Sequence, residues 1–439
     1  MLGSRPRQRS ILATMAVAVL GLAVGCSSSS SGGSPGSGSS SPATSPSTAP
    51  SSTTPITIGV AVPDLSVFVK FSKAFGVGNP QTQAASVLAA WKSGGSVPVN
   101  GHPVKFVYKS YNIVDPAAET AVCKTFAQDD HVFAVIGGQS FETGAQCLTG
   151  QFHIPVVDLD SVPASSYQKG APDYFTLQPD QNTFYRDYID WAVKAGLFKN
   201  QKLGMFISSE VQESANVAKA ELTKLGYKLT SSVTANSAGV GSNADQLAMQ
   251  KFKAAGVTTM IPFVGGSDEI NALGYAAKQH YNLKVVDLDT SQHTTDVAAG
   301  AFPATLYNGT QALTFAATGE KAANLPETAE QTTCINNYNT FSGANIQRVS
   351  PEVSGEYQNL LETCDMANIV LKGMQNAGNN LTAASFISGL EQIQNMAIAS
   401  GGNVSFSSTD HWGIHQLRQL KWTIACHCWS ANGPWFSTS

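Results

Sequence analysis

From Ile56 onward, short apolar runs alternate with amphipathic stretches. "ITIGVAV" (56–62) is apolar and rich in β-branched residues, which predicts a buried strand. A helix is predicted over 83–91 and a strand at "VKFVY" (104–108). In "VDPAAETAVCKTFAQ", Asp115 supplies an N-cap, Pro116 suits the first helical position and Glu119 falls in the first turn. "VFAVIGG" reads as a strand, 144–152 as a short helix and "IPVVDL" as another strand. The series then starts again. "KLGMFIS" (202–208) is a strand, 216–225 a helix stopped by Gly226, and "YKLTSSVTA" a strand. A helix over 245–255, the strand "VTTMIPFV", a helix over 268–280 and the strand "LKVVDL" complete the second series. Apolar strands alternating with helices imply parallel sheets covered on both faces.

The two series share more than their order. Val-Val-Asp-Leu-Asp occurs at 156–160 and again at 285–289. "VIGGQS" precedes the first copy and "FVGGSD" the second, with Gly138 22 residues before Asp160 and Gly266 23 before Asp289. Matched landmarks at matched spacing indicate one structural unit used twice, the repeated line being the fourth strand of each. Beyond them, 353–377 carries apolar residues at Tyr357, Leu360, Leu361, Cys364, Ala367, Val370, Leu371 and Met374, the spacing of one long core-facing helix. Strand-like pieces such as "LRQLKWTIA" close the chain.

Composition narrows the class. The 439 residues suffice for two or three domains, and only 13% are charged. No Lys/Arg block or basic stripe supports nucleic-acid binding. The start of the chain stands apart from the fold. Arg5, Arg7 and Arg9 precede an apolar run at 11–24 that is short for a membrane span and ends in "LAVGC". Small residues before Cys26 resemble a bacterial lipobox, which makes 1–25 a signal peptide and Cys26 the lipidated residue; an ordinary secretory signal is the alternative. Either way the chain is exported. Loss of 1–25 takes three arginines and no acid from a chain of net charge −4, leaving −7. Residues 27–55 are almost all Ser, Gly, Pro, Thr and Ala, so 26–55 reads as a lipidated cysteine and a disordered tether.

Six further cysteines, at 123, 147, 334, 364, 426 and 428, favour disulfides in an exported chain. Nearness suggests Cys123 with Cys147 and Cys334 with Cys364, though six cysteines allow 15 connectivities. Cys426 and Cys428 are at the edge of disulfide reach if extended, so a turn or two free thiols remain open.

The stretch "VDPAAETAVCKTFAQDDHVFAVIGGQSFETGAQCLTGQFHIPVV" resembles the first lobe of the type I solute-binding proteins, in the leucine/isoleucine/valine-binding branch that serves ABC importers. A Pro-led helix, a strand ending in Gly137-Gly138-Gln139-Ser140, and the Ile154-Pro155 strand carry the likeness, and Cys123 and Cys147 sit where that branch often has a disulfide. The resemblance runs over most of 56–425. It implies two Rossmann-like α/β lobes with parallel sheets, joined by a three-crossing hinge, with the ligand cleft between. Lobe one is expected at 56–180 plus about 306–360, lobe two at 181–305 plus about 361–439. It also implies no catalysis, no cofactor, a monomer, a small-molecule ligand and ABC permease subunits as partners.

Open parallel sheets bind ligands beyond the C-terminal ends of their strands. The expected cleft residues are therefore Asp64, Gln139, Ser140, Phe141, Asp160 and Ser161 in lobe one. In lobe two they are Glu210, Thr290, Ser291 and Gln292, with Gly265 and Gly266 allowing close approach. Ser140 matches a common ligand-contacting position of the branch. "DLDSVP" and Phe141 depart from its usual small residues, which argues against an ordinary branched-chain amino acid. Asp64, Asp160 and Glu210 favour an amine or another cation, by attraction in a partly dry site. The same acids also suit helix caps. The ligand class is thus a small polar organic solute: amino-acid-like, amide or amine.

Two other readings compete. No Gly-x-Ser-x-Gly, HExxH or P-loop pattern supports an enzyme. "DHWGIH" (410–415) followed by "CHC" offers metal-type ligands, with a structural Asp-His loop and thiols as the plainer account. A ligand-sensing receptor module shares the two-lobe fold, since fold does not fix function.

Overall fold

The computed structural model describes residues 55–69, 76–235, 243–288 and 294–438. The expected leader, Cys26, the expected tether up to residue 54, and Asp289, Thr290, Ser291 and Gln292 lie outside the described residues.

The first series forms β1 (Ile56–Asp64), α1 (Ser66–Val69), α2 (Pro80–Ser93), β2 (Val104–Asn112), α3 (Pro116–Lys124), β3 (Ala134–Ile136), α4 (Glu142–Phe152), β4 (Val156–Asp158), α5 (Ala164–Gly170) and β5 (Tyr174–Thr176). Asp115 caps α3 by accepting Ala117 N–H at 3.0 Å, with Pro116 at the first helical position. The second series forms α6 (Gln181–Lys194), β6 (Leu203–Ser208), α7 (Gln212–Lys224), β7 (Leu229–Ala235), α8 (Asn243–Ala255), β8 (Thr259–Phe263), α9 (Gly266–Lys278), β9 (Lys284–Leu288), α10 (Asp296–Ala299), α11 (Ala304–Tyr307) and β10 (Gln311–Thr314). Three helices follow, α12 (Ala329–Ser342), α13 (Glu356–Asn376) and α14 (Ala383–Glu391). Three strands end the chain: β11 (Gln416–Thr423), β12 (Cys428–Ala431) and β13 (Phe436–Ser437).

The sheets repeat one plan. The first is all parallel in the order β2-β1-β3-β4-β5. In the second, β7-β6-β8-β9-β10 reproduces that order in parallel, and antiparallel β11 and β12 extend it past β10, with β13 paired to the start of β11. The repeated Val-Val-Asp falls on β4 and β9, the fourth strand of each series. The chain therefore has two α/β lobes of matching topology.

The segments after β9 fall differently from the expected lobe boundaries. Gln311–Thr314 is still a strand of the second sheet. The expected boundary at about 361 falls inside α13, a continuous helix that packs on α2, β3 and β4 of lobe one. Its buried positions, among them Leu360, Leu361, Ala367, Ile369, Val370 and Met374, run round the helix, so it is enclosed by α2, α12, α14 and the sheet rather than passing between lobes. Only β11 to β13 rejoin lobe two. Helix α6 carries no strong apolar signal. Its core face is built from Phe184, Tyr185, Tyr188 and Ile189, and its buried Tyr188 hydroxyl donates to Val286 O at 2.6 Å.

The chain crosses between lobes at 177–180, 315–328 and 392–415, and the crossings bond to one another. Thr176 N donates to His411 O at 2.9 Å, Ile414 N to Leu177 O at 3.0 Å and Ala317 N to Ser400 O at 2.7 Å. Asp365 on α13 accepts Ala399 and Ser400 N–H groups at 2.9 and 2.7 Å, which anchors the third crossing to lobe one. Glu320 in the second crossing accepts from Arg418 on β11 at 2.6 Å and from Gln331 on α12 at 2.9 Å. A buried charge costs several kcal/mol to desolvate, and pairing with hydrogen bonds on both oxygens offsets that cost.

All three cysteine pairs form disulfides. Cys123–Cys147 ties α3 to α4, Cys334–Cys364 ties α12 to α13, and Cys426–Cys428 closes the turn between β11 and β12. The turn, with His427 at φ 52°, brings the last pair to a Cα separation of 5.2 Å. Among the described residues no helix is long and apolar enough to cross a membrane.

Candidate functional site

The C-terminal ends of β1, β3 and β4 bring Asp64, Gln139, Ser140 and Asp160 to one end of the first sheet. The N-terminus of α4 opens directly among them. A helix leaves its first N–H groups without intrahelical partners, and they attract anions. Here two of the protein's own carboxylates take them. Asp160 accepts the N–H groups of Ser140 and Phe141. Glu119, from α3, accepts Gly144 N–H at 3.2 Å and also takes Thr143 N–H. Ser140 is held at φ 57°, and Tyr111 donates its hydroxyl to Gln139 O at 2.6 Å. Gln139 Oε1 is buried without a hydrogen-bond partner.

This acid-rich corner shifts its own titrations. Asp158, Asp160, Glu119 and Glu142 repel one another across a short distance. Burial, then Glu142 and Glu119, push Asp160 up to about 7 against the opposing pull of the Ser140 and Phe141 N–H groups. Burial and the Asp160 charge push Asp158 up as well.

The other lobe-one candidates are placed differently. Asp64 is exposed at the end of β1, where it accepts Ser66 N–H at 2.9 Å ahead of α1. Phe141 is fully buried, its ring 4.9 Å from that of Tyr111, and it faces the lobe-one core rather than the cleft. An aromatic ring at a helix start gains more from an apolar interior than from a wet cleft. Ser161 ties its hydroxyl to Pro179 O at 2.6 Å, beside the first crossing.

In lobe two, Glu210 is exposed in a short 3-10 turn (Ser209–Val211), with its N–H on Ser208 Oγ at 3.4 Å. Gly265 caps α9 and Gly266 begins it, at the end of β8. Three acidic residues beyond the sequence expectation reach across the seam. Glu213 at the start of α7 accepts from Ser165 Oγ on α5 at 2.6 Å and from Asn182 Nδ2 on α6 at 2.9 Å. These bonds hold the Glu213 carboxyl below its ordinary value. Asp296, eight residues past the end of β9, accepts Trp429 N–H at 2.5 Å, Ser350 Oγ at 3.3 Å and Glu352 N–H at 3.3 Å. Burial lifts Asp296 to about 6. Burial and the Asp296 charge lift Glu352 to about 8, and Glu352 Oε2 is buried without a hydrogen-bond partner. The sequence signal for Glu352 was slight: one acid in the polar stretch "SPEVSG" before a long helix.

The His and Cys residues of the C-terminal region are held by other contacts. His411 stacks on Phe175 with centroids 3.9 Å apart, and Cys426 and Cys428 are bonded to each other.

Solved structures share this architecture at low identity. A solute binding protein of an ABC transporter from Rhodopseudomonas palustris BisB5, in complex with 3,4-dihydroxybenzoic acid, matches at 15% identity and TM-score 0.64, covering 87% of this chain and 97% of that one. A leucine binding protein from Thermotoga maritima matches at 12% identity and TM-score 0.65, covering 86% and 98%. A branched-chain amino acid ABC transporter protein from Thermus thermophilus with bound valine matches at 11% identity and TM-score 0.66, covering 88% and 97%. No curated protein sequence matches the chain. The profile described as "Periplasmic binding protein" matches residues 55–427, nearly the whole of the two lobes and their crossings, and the chain belongs to the periplasmic binding protein family.

Proposed function

We propose that the protein is an extracytoplasmic solute-binding lipoprotein, anchored through Cys26, that captures a small polar organic solute and presents it to the permease subunits of an ABC importer. The solute is amino-acid-like, an amide or an amine. The protein performs no chemistry and acts as a monomer. Lobe one is 56–180 with the helices of 329–391, and lobe two is 181–314 with the strands of 416–437.

The observation that carries this reading is the pairing of two lobes whose five parallel strands follow the same order with three mutually bonded crossings. That arrangement supports a ligand cleft at the C-terminal strand ends of the two lobes, on which a hinge motion closes. The structural neighbours named above bind amino acids or an aromatic acid, which supports a small organic ligand.

A thermal-shift screen of the purified protein tests the reading. A solute that binds only the folded chain raises the melting temperature by mass action, by about 2.7 kcal/mol of stability at a hundredfold excess over Kd. Amino acids, amides, polyamines, ureas and aromatic acids form the panel. A hit that also reduces the radius of gyration supports capture by closure. Silence across the panel, on folded protein stripped of carried-over ligand, counts against it. Loss of membrane association in Cys26→Ser tests the anchor.

A further inference from the structure

We infer that the captured solute presents a cationic group, and no carboxylate, to the seam between the lobes. This rests on the solute-capture reading and narrows it.

The first observation is that the anion-holding end of α4 is already filled. The N–H groups of Ser140, Phe141, Thr143 and Gly144 are the donors that a ligand carboxylate would seek at that strand end. Asp160 and Glu119 accept all four. An incoming carboxylate would have to displace Asp160 and then sit beside Glu142 and Glu119, the two acids that already act on it. Like charges at close range in a partly dry site repel one another strongly.

The second observation is independent and lies where the segment before α13 meets lobe two. Glu352 belongs to the segment leading into α13, whose Gly355 lies beside Gly76 O, on the strand-end side of lobe one. Its backbone N–H bonds to Asp296 of lobe two. Its carboxylate thus stands where the lobes meet, and the charges acting on it, Asp296 and Glu362, are both negative. Glu352 Oε2 is buried with no hydrogen-bond partner, while the carboxyl's other oxygen takes Asp296 N–H; the Tyr357 hydroxyl is also buried without a partner, and Glu327, Arg348, Glu320 and Glu352 all act on it. A buried carboxylate oxygen without a donor is costly. An ammonium or guanidinium group supplies the donor that Oε2 lacks and favours the ionised carboxylate that burial and Asp296 oppose.

Matched probes decide the matter. Benzylamine against benzoate, and putrescine against succinate, are titrated calorimetrically into the full-length protein, its Glu352→Gln variant and its Asp160→Ala variant. We expect an amine to bind the unaltered protein at least tenfold more tightly than its acid partner. Glu352→Gln should weaken the amine at least tenfold, and Asp160→Ala should gain at least tenfold for the acid. If Asp160→Ala does not fold, Asp160→Asn removes the charge in nearly the same shape and should show the same direction of change. Tighter binding of the acids by the unaltered protein overturns the inference and leaves solute capture standing. Amine binding that is indifferent to Glu352→Gln also overturns it. Silence to both probe classes in protein that also fails the wider screen overturns the inference together with the capture reading.

Discussion

The two lobes repeat one sentence and stabilise it differently. In lobe one, Asp158 on β4 is fully buried and accepts from Tyr174 OH at 3.0 Å and from Leu159 N–H at 3.0 Å. In lobe two, Asp287 on β9 is fully buried and accepts from Tyr307 OH and from Leu288 N–H at 2.8 Å. The repeated Val-Val-Asp-Leu is therefore a strand whose carboxylate finds a tyrosine one connection later, 16 residues on in one lobe and 20 in the other. The surroundings diverge. Helices α3 and α4 of lobe one are joined by Cys123–Cys147. Their counterparts α8 and α9 are joined by side-chain bonds from Gln250 Nε2 to Tyr275 OH at 3.0 Å and from Lys253 Nζ to Gln279 O at 2.9 Å. A groove of about 300 Å³ remains between α8 and α9. The covalent tie lies next to the acid-rich corner, where carboxylates crowd one helix end and repulsion works to open it.

The disulfide gives the largest expected contrast. Replacing Cys123 and Cys147 together by Ala should cost about 3.5 kcal/mol through the freed loop in the unfolded chain, read as a lower urea midpoint. Replacing Gln250 and Lys253 together by Ala should cost less than about 1 kcal/mol, as exposed polar bonds do. Equal losses would end the claim that the lobes are tied differently.

The glycine before each repeat gives the next contrast. A Cβ at Gly137 would lie 2.1 Å from Asp158 Oδ1, so Gly137 exists to let the buried carboxylate close on the strand end. At Gly265 the nearest atom would be Asp268 Oδ2 at 3.8 Å, and the backbone has φ −69°. Gly137→Ala should lose about 3 kcal/mol by overpacking, and Gly265→Ala should stay within about 0.5 kcal/mol. Calorimetric melting of both variants checks this, and a silent Gly137→Ala would contradict the packing described.

The smallest expected effect is the pH dependence that Asp160 of lobe one contributes. Asp160 titrates near 7 when folded, against 3.8 for a free side chain. The folded state then holds a proton that the unfolded state has released. Stability from this group is complete below about pH 4 and falls as pH rises toward 7. Water reaches Asp160, so about 1 kcal/mol is a fair expectation. Asp160→Asn should flatten that slope between pH 5 and 7.5 in urea melts. An unchanged slope would assign the dependence to Asp296, Glu352 or Asp365, which burial also raises.

Much of the fold was legible because period and punctuation agreed. Asp115-Pro116 opened a helix, Gly226 and Gly256 ended two, and the repeated Val-Val-Asp marked the fourth strands. Elements without those signals stayed hidden. Strand β5 has three residues, and α6 packs through tyrosines that read as polar. The lobe boundary was legible only roughly, because α13 gives its apolar spacing but not which layer it enters. At the candidate site, strand-end logic pointed to Gln139, Ser140 and Asp160, which lie together at one end of the first sheet. It misjudged Phe141, since sequence order cannot say which face of a turn a ring takes. Glu213, Asp296 and Glu352 were missed because their partners lie 48, 133 and 56 residues away, at Ser165, Trp429 and Asp296 respectively.

The route of the third crossing has a consequence for how the chain is made. The residues of 401–438 provide β11, the antiparallel neighbour of β10, and His411, which receives the N–H of the last β5 residue. One late segment therefore covers an open edge on each sheet. A chain synthesised from its N-terminus carries both edges uncovered until that segment emerges, and uncovered edges template pairing between chains. Export before completion, or a stop codon near residue 400, would release a protein with two assembled but unsealed sheets. The last tenth of the gene is thus where premature termination should turn a folded product into an aggregating one.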